Sequence, residues 1–132
     1  MKSFILSIVF LFLCISSSVG NDLIGEIAGQ FRQGNAKGIS RYFSPTVNLS
    51  ILDDNNVYSK VQAEIILESF FKLNSPIGSK IIHRLDSNPN YQHAVIELNT
   101  LKRYFRISYS IRINDSQAQI VEIRIEENRR PG

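Results

Sequence analysis

Apolar and polar side chains alternate with a period of two through residues 79 to 126, and this pattern constrains the fold more than any other feature. Such alternation is typical of strands with one buried face, because successive side chains point to opposite faces of a sheet. Turn-forming residues divide the stretch into four strands near residues 79 to 85, 92 to 99, 104 to 113 and 119 to 126. The second half of the chain is therefore predicted to be an antiparallel sheet.

The alternation also predicts the register of the strands, because a pairing that mixed the two faces would put charge into the core. The inner face is expected to pair Ala94 with Tyr109, Ile96 with Ile107, Leu98 with Phe105, Tyr109 with Ile123 and Ile107 with Ile125. On the outer face the same register aligns Glu97, Arg106 and Glu126 across three strands. Extended to the first strand, it pairs Ile81 with Ile96 and His83 with Ala94, so His83 is predicted to point inward.

Two long helices are predicted before the sheet. The first covers residues 22 to 33 at helical apolar spacing and ends at Gly34, a residue that favours helix termination. The other begins at Ser59, which forms a capping box with Gln62. Its wide apolar face consists of Val61, Ile65, Ile66, Phe70, Phe71 and Leu73.

A short helix and a hairpin are predicted between these two helices. Asn35 caps the helix, and Pro45 ends it because the residue before a proline disfavours the helical region. Alternation over residues 47 to 52 then predicts a strand, which residues 53 to 56 turn into a short return at residues 57 and 58. Three helices with a short hairpin, followed by an antiparallel sheet, make an α+β fold.

With this order of elements, the chain resembles the nuclear transport factor 2-like superfamily. The resemblance implies a cystatin-like cone, in which a curved antiparallel sheet of four to six strands wraps the helices and leaves an open mouth. Residues 58 to 64 (YSKVQAE), Phe70-Phe71, His83 and residues 122 to 126 (EIRIE) are similar to a family of small exported Bacteroidetes proteins of unknown function. The resemblance implies fold and export but no activity, because the superfamily contains isomerases, dehydratases, ligand carriers and noncatalytic partners.

The first twenty residues are predicted to be a secretory signal peptide, leaving residues 21 to 128 as the domain and residues 129 to 132 as a disordered basic tail. Lys2 precedes an apolar run that is too short to span a bilayer, and small residues follow it up to Gly20. Cleavage is expected after Gly20. A lipid anchor at Cys14 is disfavoured by the bulky Leu13 before it. We therefore expect a periplasmic or extracellular protein with no stable membrane anchor.

Charge and cysteine content limit the partners and the covalent stabilisation of the mature domain. The chain of 132 residues has a formal net charge of +3, which corresponds to Lys2 in the leader and Arg129 and Arg130 in the tail. A neutral body argues against a nucleic-acid partner, since phosphate binding needs a concentrated basic face. Because Cys14 is the single cysteine, the domain must be held together by its core.

Few residues in the sequence suggest chemistry. It has no phosphate-binding glycine loop, no nucleophile elbow and no metal-spaced cluster, so no catalytic residue, metal or cofactor is assigned. His83 and His93 are expected on opposite faces of the sheet and so cannot share a metal. His83, Ala94 and Tyr109 are predicted to lie in a row on the inner face of the sheet. Either the polar groups of His83 and Tyr109 are hydrogen-bonded within the core, or these two side chains contact a ligand.

The predicted ligand pocket lies between the third helix and the sheet. Its apolar wall would be Ile66, Phe70 and Phe71, and its polar tips His83 and Tyr109 beside Ala94. These residues favour a noncatalytic exported module that binds a small apolar ligand or a protein segment. The alternatives are an isomerase- or dehydratase-like enzyme using the His83 and Tyr109 pair, and a purely structural or dimerisation domain, with a homodimer left open.

Overall fold

Three helices and six strands follow one another in residues 22 to 129, the part of the chain that the computed structural model describes. The helices are α1 (Leu23–Gln33), α2 (Ala36–Ser40) and α3 (Lys60–Leu73). The strands are β1 (Phe43–Ile51), β2 (Asp54–Ser59), β3 (Pro76–Leu85), β4 (Tyr91–Thr100), β5 (Tyr104–Asn114) and β6 (Gln117–Asn128). The predicted α+β order is confirmed, while the predicted leader and the last three residues lie outside the described part.

The six strands form one sheet in the order β2-β1-β6-β5-β4-β3. Every neighbouring pair is antiparallel except β1 and β6, which run parallel. The sheet is therefore mixed, whereas the sequence predicted a wholly antiparallel one. The parallel pair arises because α3 carries the chain from the β1–β2 hairpin to the far edge, and β3 to β6 then lead it back beside β1.

The predicted register of the central strands is confirmed. Ala94 pairs with Tyr109, and Ile107 pairs with both Ile96 and Ile125. On the outer face Arg106 lies between Glu97 and Glu126.

A β-bulge in β3 changes the predicted position of His83. Ile81 pairs with Ile96 as predicted, but the register shifts before His83, which lies opposite Val95 on the outer face and is exposed. Arg84 takes the place opposite Ala94. The pairing of His83 with Ala94 and its inward orientation are therefore wrong, because one extra residue in a strand moves the following side chains to the other face.

Asn35, Ser59 and Gly34 cap the helices as the sequence predicts, whereas Asp22, predicted as the first residue of α1, is its N-cap. The Asp22 carboxylate accepts a hydrogen bond from the Gly25 N–H at 3.1 Å, and Ser59 and Gln62 form the predicted capping box. Gly34 ends α1 with a φ of 65°, in the left-handed region that favours glycine. Pro45, predicted to end α2, lies inside β1, where the pairing with β6 is interrupted between Phe43 and Asn48.

The core lies between the inner face of the sheet and the three helices. Phe31 of α1 stacks on Tyr109 with ring centroids 5.5 Å apart. The buried residues of α3 are Ala63, Leu67, Phe70 and Phe71. The predicted apolar face of α3 was too wide, since Val61, Ile65 and Leu73 are exposed. No helix within residues 22 to 129 is long and apolar enough to cross a bilayer.

Candidate functional site

A cleft of about 650 Å³ opens between the C-terminal half of α3, the β1–β2 turn and the β4–β5 loop, and we call it the mouth cleft. Its lining residues are Ile51, Leu52, Asp54, Ile66, Ser69, Phe70, Leu73, Asn74, Ser75, Thr100, Leu101, Lys102 and Arg103. Most of its wall is apolar. This volume is within the range of small-molecule sites, about 300 to 1,000 Å³.

The floor of the mouth cleft is built on the buried ring of Phe70. Phe105 and Phe71 hold this ring edge-to-face, with centroid distances of 5.0 Å and 5.6 Å. Ile51 and Ile66 lie beside it and are half-buried. Because edge-to-face packing fixes the ring, the floor is a preformed apolar surface.

Three leucines from separate segments surround this floor. Leu52 in the β1–β2 turn is 46% exposed, Leu73 at the end of α3 is 86% exposed, and Leu101 in the β4–β5 loop is 80% exposed. Single exposed leucines are ordinary, but several around one concave surface form an apolar patch typical of binding sites.

The β1–β2 turn holds Leu52 in an unfavourable backbone conformation. Ile51 pairs with Asp54, so the loop consists of Leu52 and Asp53 and is shorter than the predicted turn at residues 53 to 56. Leu52 has a φ of 56°, and its N–H donates to the Ile125 carbonyl oxygen at 2.9 Å. Positive φ is costly for a leucine, and residues strained in this way cluster at functional sites.

The β4–β5 loop is fixed by the buried side chain of Thr100. The Thr100 hydroxyl donates to the Arg103 carbonyl oxygen at 2.9 Å and accepts from the Arg103 N–H at 3.0 Å. This closed ring of hydrogen bonds presents Leu101 and Lys102 outward at the rim of the mouth cleft. The loop therefore offers an apolar and a basic side chain on one rigid support.

The polar residues of the cleft wall are largely engaged by the fold. The Asn74 side-chain amide donates to the Phe70 carbonyl oxygen at 3.1 Å, which completes the end of α3. Asp54 is the one carboxylate among the described lining residues, and it accepts from the Tyr58 hydroxyl at 3.1 Å. The described lining includes no histidine or cysteine. The arrangement suits binding better than acid–base chemistry.

Of the six residues predicted to form a pocket, the structure brings Ile66 and Phe70 to the mouth cleft. Phe71 packs into the core against Phe31, with ring centroids 6.2 Å apart. His83 is exposed on the outer face, while Ala94 is fully buried. The apolar wall is thus only partly in the cleft, and the polar tips are elsewhere.

Tyr109 is a core residue rather than a cleft residue. Its side chain is fully buried, and its hydroxyl donates to the Ile24 carbonyl oxygen at 2.8 Å. Burial raises the pKa of the Tyr109 phenol above its ordinary value. Of the two alternatives, the structure therefore agrees with a core tyrosine whose hydroxyl is hydrogen-bonded. The partner is the Ile24 backbone carbonyl oxygen and not His83.

The bulge gives Arg84 a role that the sequence did not suggest. Arg84 forms an ion pair with Asp22, the residue that caps the N-terminus of α1. The contact links the edge strand to the first helix. Residue spacing could not have indicated it, because an unbroken alternation would place Arg84 on the outer face.

The outer face carries both histidines, against the prediction that they lie on opposite faces. His93 pairs with Leu85, and its Nδ1 lies 3.0 Å from the Ser110 hydroxyl, which also accepts from the Tyr91 hydroxyl at 3.1 Å. Ser110 is buried, so its hydroxyl is not accessible as a nucleophile, and its contacts with His93 and Tyr91 stabilise the packing of the strands. Within residues 22 to 129, no group of three or more His, Cys, Asp or Glu side chains is placed to hold a metal.

Comparison with known families identifies the chain. Residues 24 to 126 match the family described as Domain of unknown function (DUF4783). The chain belongs to this family. The prediction of a Bacteroidetes family of unknown function is thereby confirmed, since solved members come from Bacteroides.

Solved structures support the same fold for this DUF4783 protein. A DUF4783 family protein from Bacteroides uniformis is 21% identical, with a TM-score of 0.77 over 83% of this chain and 100% of that one. A DUF4783 family protein from Bacteroides fragilis is 26% identical, with a TM-score of 0.72 over 78% and 96%. A nuclear transport factor 2-like protein of unknown function from Shewanella baltica is 9% identical, with a TM-score of 0.62 over 81% and 89%.

The predicted superfamily is thus confirmed at the level of fold. Curated protein sequences include no match to this chain. Neither the family description nor the names of these structures states an activity. The chemistry of this DUF4783 protein must therefore be inferred from its own site.

Proposed function

We propose that this DUF4783 protein is an exported, noncatalytic module that binds a small apolar ligand in the mouth cleft. The observation that carries the proposal is the ring of Leu52, Leu73 and Leu101, all substantially exposed, around the preformed floor at Phe70. A ligand seated on the floor would cover all three leucines. The cleft is large enough for one small molecule and has the apolar lining expected of such sites.

The apolar area supports useful affinity. Fully burying one leucine side chain contributes about 1.5 to 3 kcal/mol, so covering Leu73 and Leu101, which are largely exposed, and Leu52, which is about half exposed, would contribute several kcal/mol. Association costs about 4 kcal/mol or more in lost freedom. Because Phe70 is already held by Phe105, little additional ordering of the floor is required on binding.

The enzyme alternative has weaker support. It needs an acid or base inside the cleft, whereas His83 is on the outer face and the Tyr109 hydroxyl is bonded to the Ile24 carbonyl oxygen. Asp54 is the remaining candidate base, and its carboxylate accepts a hydrogen bond from the Tyr58 hydroxyl at the edge of the cleft. The apolar lining and the engaged polar groups therefore favour ligand binding without catalysis.

A fluorescence titration with the apolar probe N-phenyl-1-naphthylamine tests the proposal. We expect saturable binding to the parent protein and about tenfold weaker binding after the double change Leu73→Ser and Leu101→Ser, because the lost burial is worth at least about 1.4 kcal/mol. Leu85→Ser is the matched control, since Leu85 is exposed at the opposite end of β3. Equal affinity in all three proteins, or no saturable binding, would refute the proposal.

A further inference from the structure

Two cations, Lys102 and Arg103, border one side of the mouth cleft, and Arg129 lies beside them in an adjoining depression; we call these three residues the basic rim. Lys102 and Arg103 line the mouth cleft itself. Together with Arg129 they also line an adjoining depression of about 440 Å³. The apolar floor therefore leads directly to a basic surface.

The positive charge of the basic rim is poorly neutralised by the protein. Within residues 22 to 129, Lys102 makes no ion pair or side-chain hydrogen bond. The Arg103 Nε lies 3.8 Å from a Glu127 carboxylate oxygen, and both side chains are about half exposed. Such a long, exposed pair contributes little and leaves Arg103 able to accept another anion.

The loop that carries the basic rim is held in place rather than free. Thr100 makes two hydrogen bonds to the Arg103 backbone, so Lys102 and Arg103 are presented at a defined side of the cleft. Leu101 lies between Thr100 and these cations and faces the same opening. One loop thus supplies both an apolar contact and a charged contact to a single occupant.

We propose that the ligand of the mouth cleft is a free fatty acid, whose hydrocarbon chain lies over Phe70 and whose carboxylate binds the basic rim. This inference rests on the proposed function and adds the ligand class. Lys102 and Arg103 favour an anionic group at their side of the cleft, across from the single carboxylate of the described lining, Asp54, and the apolar floor favours a hydrocarbon body. A cleft of about 650 Å³ has the volume of a small-molecule site, which favours a free acid over a lipid held in a bilayer.

Displacement of N-phenyl-1-naphthylamine by two ligands tests the inference: laurate, and dodecanol, which has the same chain without the charge. We expect laurate to displace the probe at about tenfold lower concentration, because each exposed ion pair can change a binding constant by up to about fivefold. The double variant Lys102→Gln and Arg103→Gln should lose this preference and keep its affinity for dodecanol. Added salt should weaken the binding of laurate and should not weaken the binding of the uncharged dodecanol.

The control removes the same amount of charge at a distance from the cleft. Lys80→Gln with Arg112→Gln changes two exposed cations on β3 and β5 that do not line the cleft. This variant should retain the preference for laurate. A general effect of net charge would instead lower laurate binding in both double variants, and that result would overturn the inference.

Failure of this inference is distinguishable from failure of the proposed function. If laurate and dodecanol displace the probe equally, the ligand is apolar but not acidic, and the proposed function survives alone. If the probe does not bind, both fail. Flotation with phosphatidylglycerol vesicles tests the membrane source: co-flotation that depends on Lys102 and Arg103, without displacement by laurate, would overturn the fatty-acid inference.

Discussion

At the scale of the residue, Tyr109 combines a buried ring with a single backbone hydrogen bond to Ile24. Tyr109→Phe removes that bond and keeps the stacking on Phe31, so we expect the free energy of unfolding to fall by about 1 kcal/mol. Urea unfolding at neutral pH measures the loss. Probe binding in the mouth cleft should not change. Weaker probe binding at an unchanged free energy of unfolding would show instead that Tyr109 contacts the ligand.

The same residue makes a pH prediction. Burial raises the pKa of Tyr109 in the folded protein, while the unfolded chain has the ordinary value of about 10. The contribution of the protonated Tyr109 phenol to the free energy of unfolding is therefore fully present below about pH 10. It is lost as the pH rises toward the pKa of the folded protein. Urea unfolding at pH values from about 8 to 11 should show a steeper alkaline decline in the parent than in Tyr109→Phe. Parallel curves would contradict this assignment.

Leu52 presents the opposite case, a residue whose backbone conformation disfavours it. Asparagine tolerates positive φ better than leucine, so Leu52→Asn should keep the two-residue turn and raise the free energy of unfolding by up to about 1 kcal/mol. It should also weaken probe binding, because a rim leucine is lost. Leu101→Asn is the control, since its φ is not positive and it should gain no stability. A less stable Leu52→Asn with unchanged binding would contradict this account.

At the scale of the element, the bulge in β3 decides which of two adjacent residues supports the fold. Arg84→Ala should lower the free energy of unfolding by up to about 1 kcal/mol, because it removes the ion pair with the α1 cap at Asp22. His83→Ala should change it by less than about 0.5 kcal/mol, since His83 is exposed. Urea unfolding at low salt compares the two variants. A larger loss for His83→Ala than for Arg84→Ala would contradict the bulge and support an inward orientation of His83.

At the scale of the whole molecule, the proposed export predicts a defined mature terminus. Small residues at Ser18 and Gly20 fit the positions that signal peptidase reads, so the mature chain should begin at Asn21. N-terminal sequencing of protein recovered from its own host measures this. A chain that keeps Met1, or a lipid found at Cys14, would show that the leader has another role.

The sequence by itself determined the elements, their caps and most of the register. Gly34, Asn35 and Ser59 act within one helical turn, and the pairing of Ala94 with Tyr109 follows from a period that repeats along each strand. Such signals are local or periodic, so they can be recognised without knowing which distant segments meet. They were sufficient to predict an α+β fold with helices packed on a sheet, whereas the cone was implied by the resemblance to the nuclear transport factor 2-like superfamily.

Only the tertiary structure decided the position of the site. The parallel pairing of β1 with β6 and the extra residue before His83 leave no mark on the alternation of side chains. The mouth cleft depends on Leu52, Leu73 and Leu101, which come from three separate segments and meet because the chain folds around Phe70. Long-range contacts of this kind depend on packing between elements, and residue spacing within an element carries no information about them.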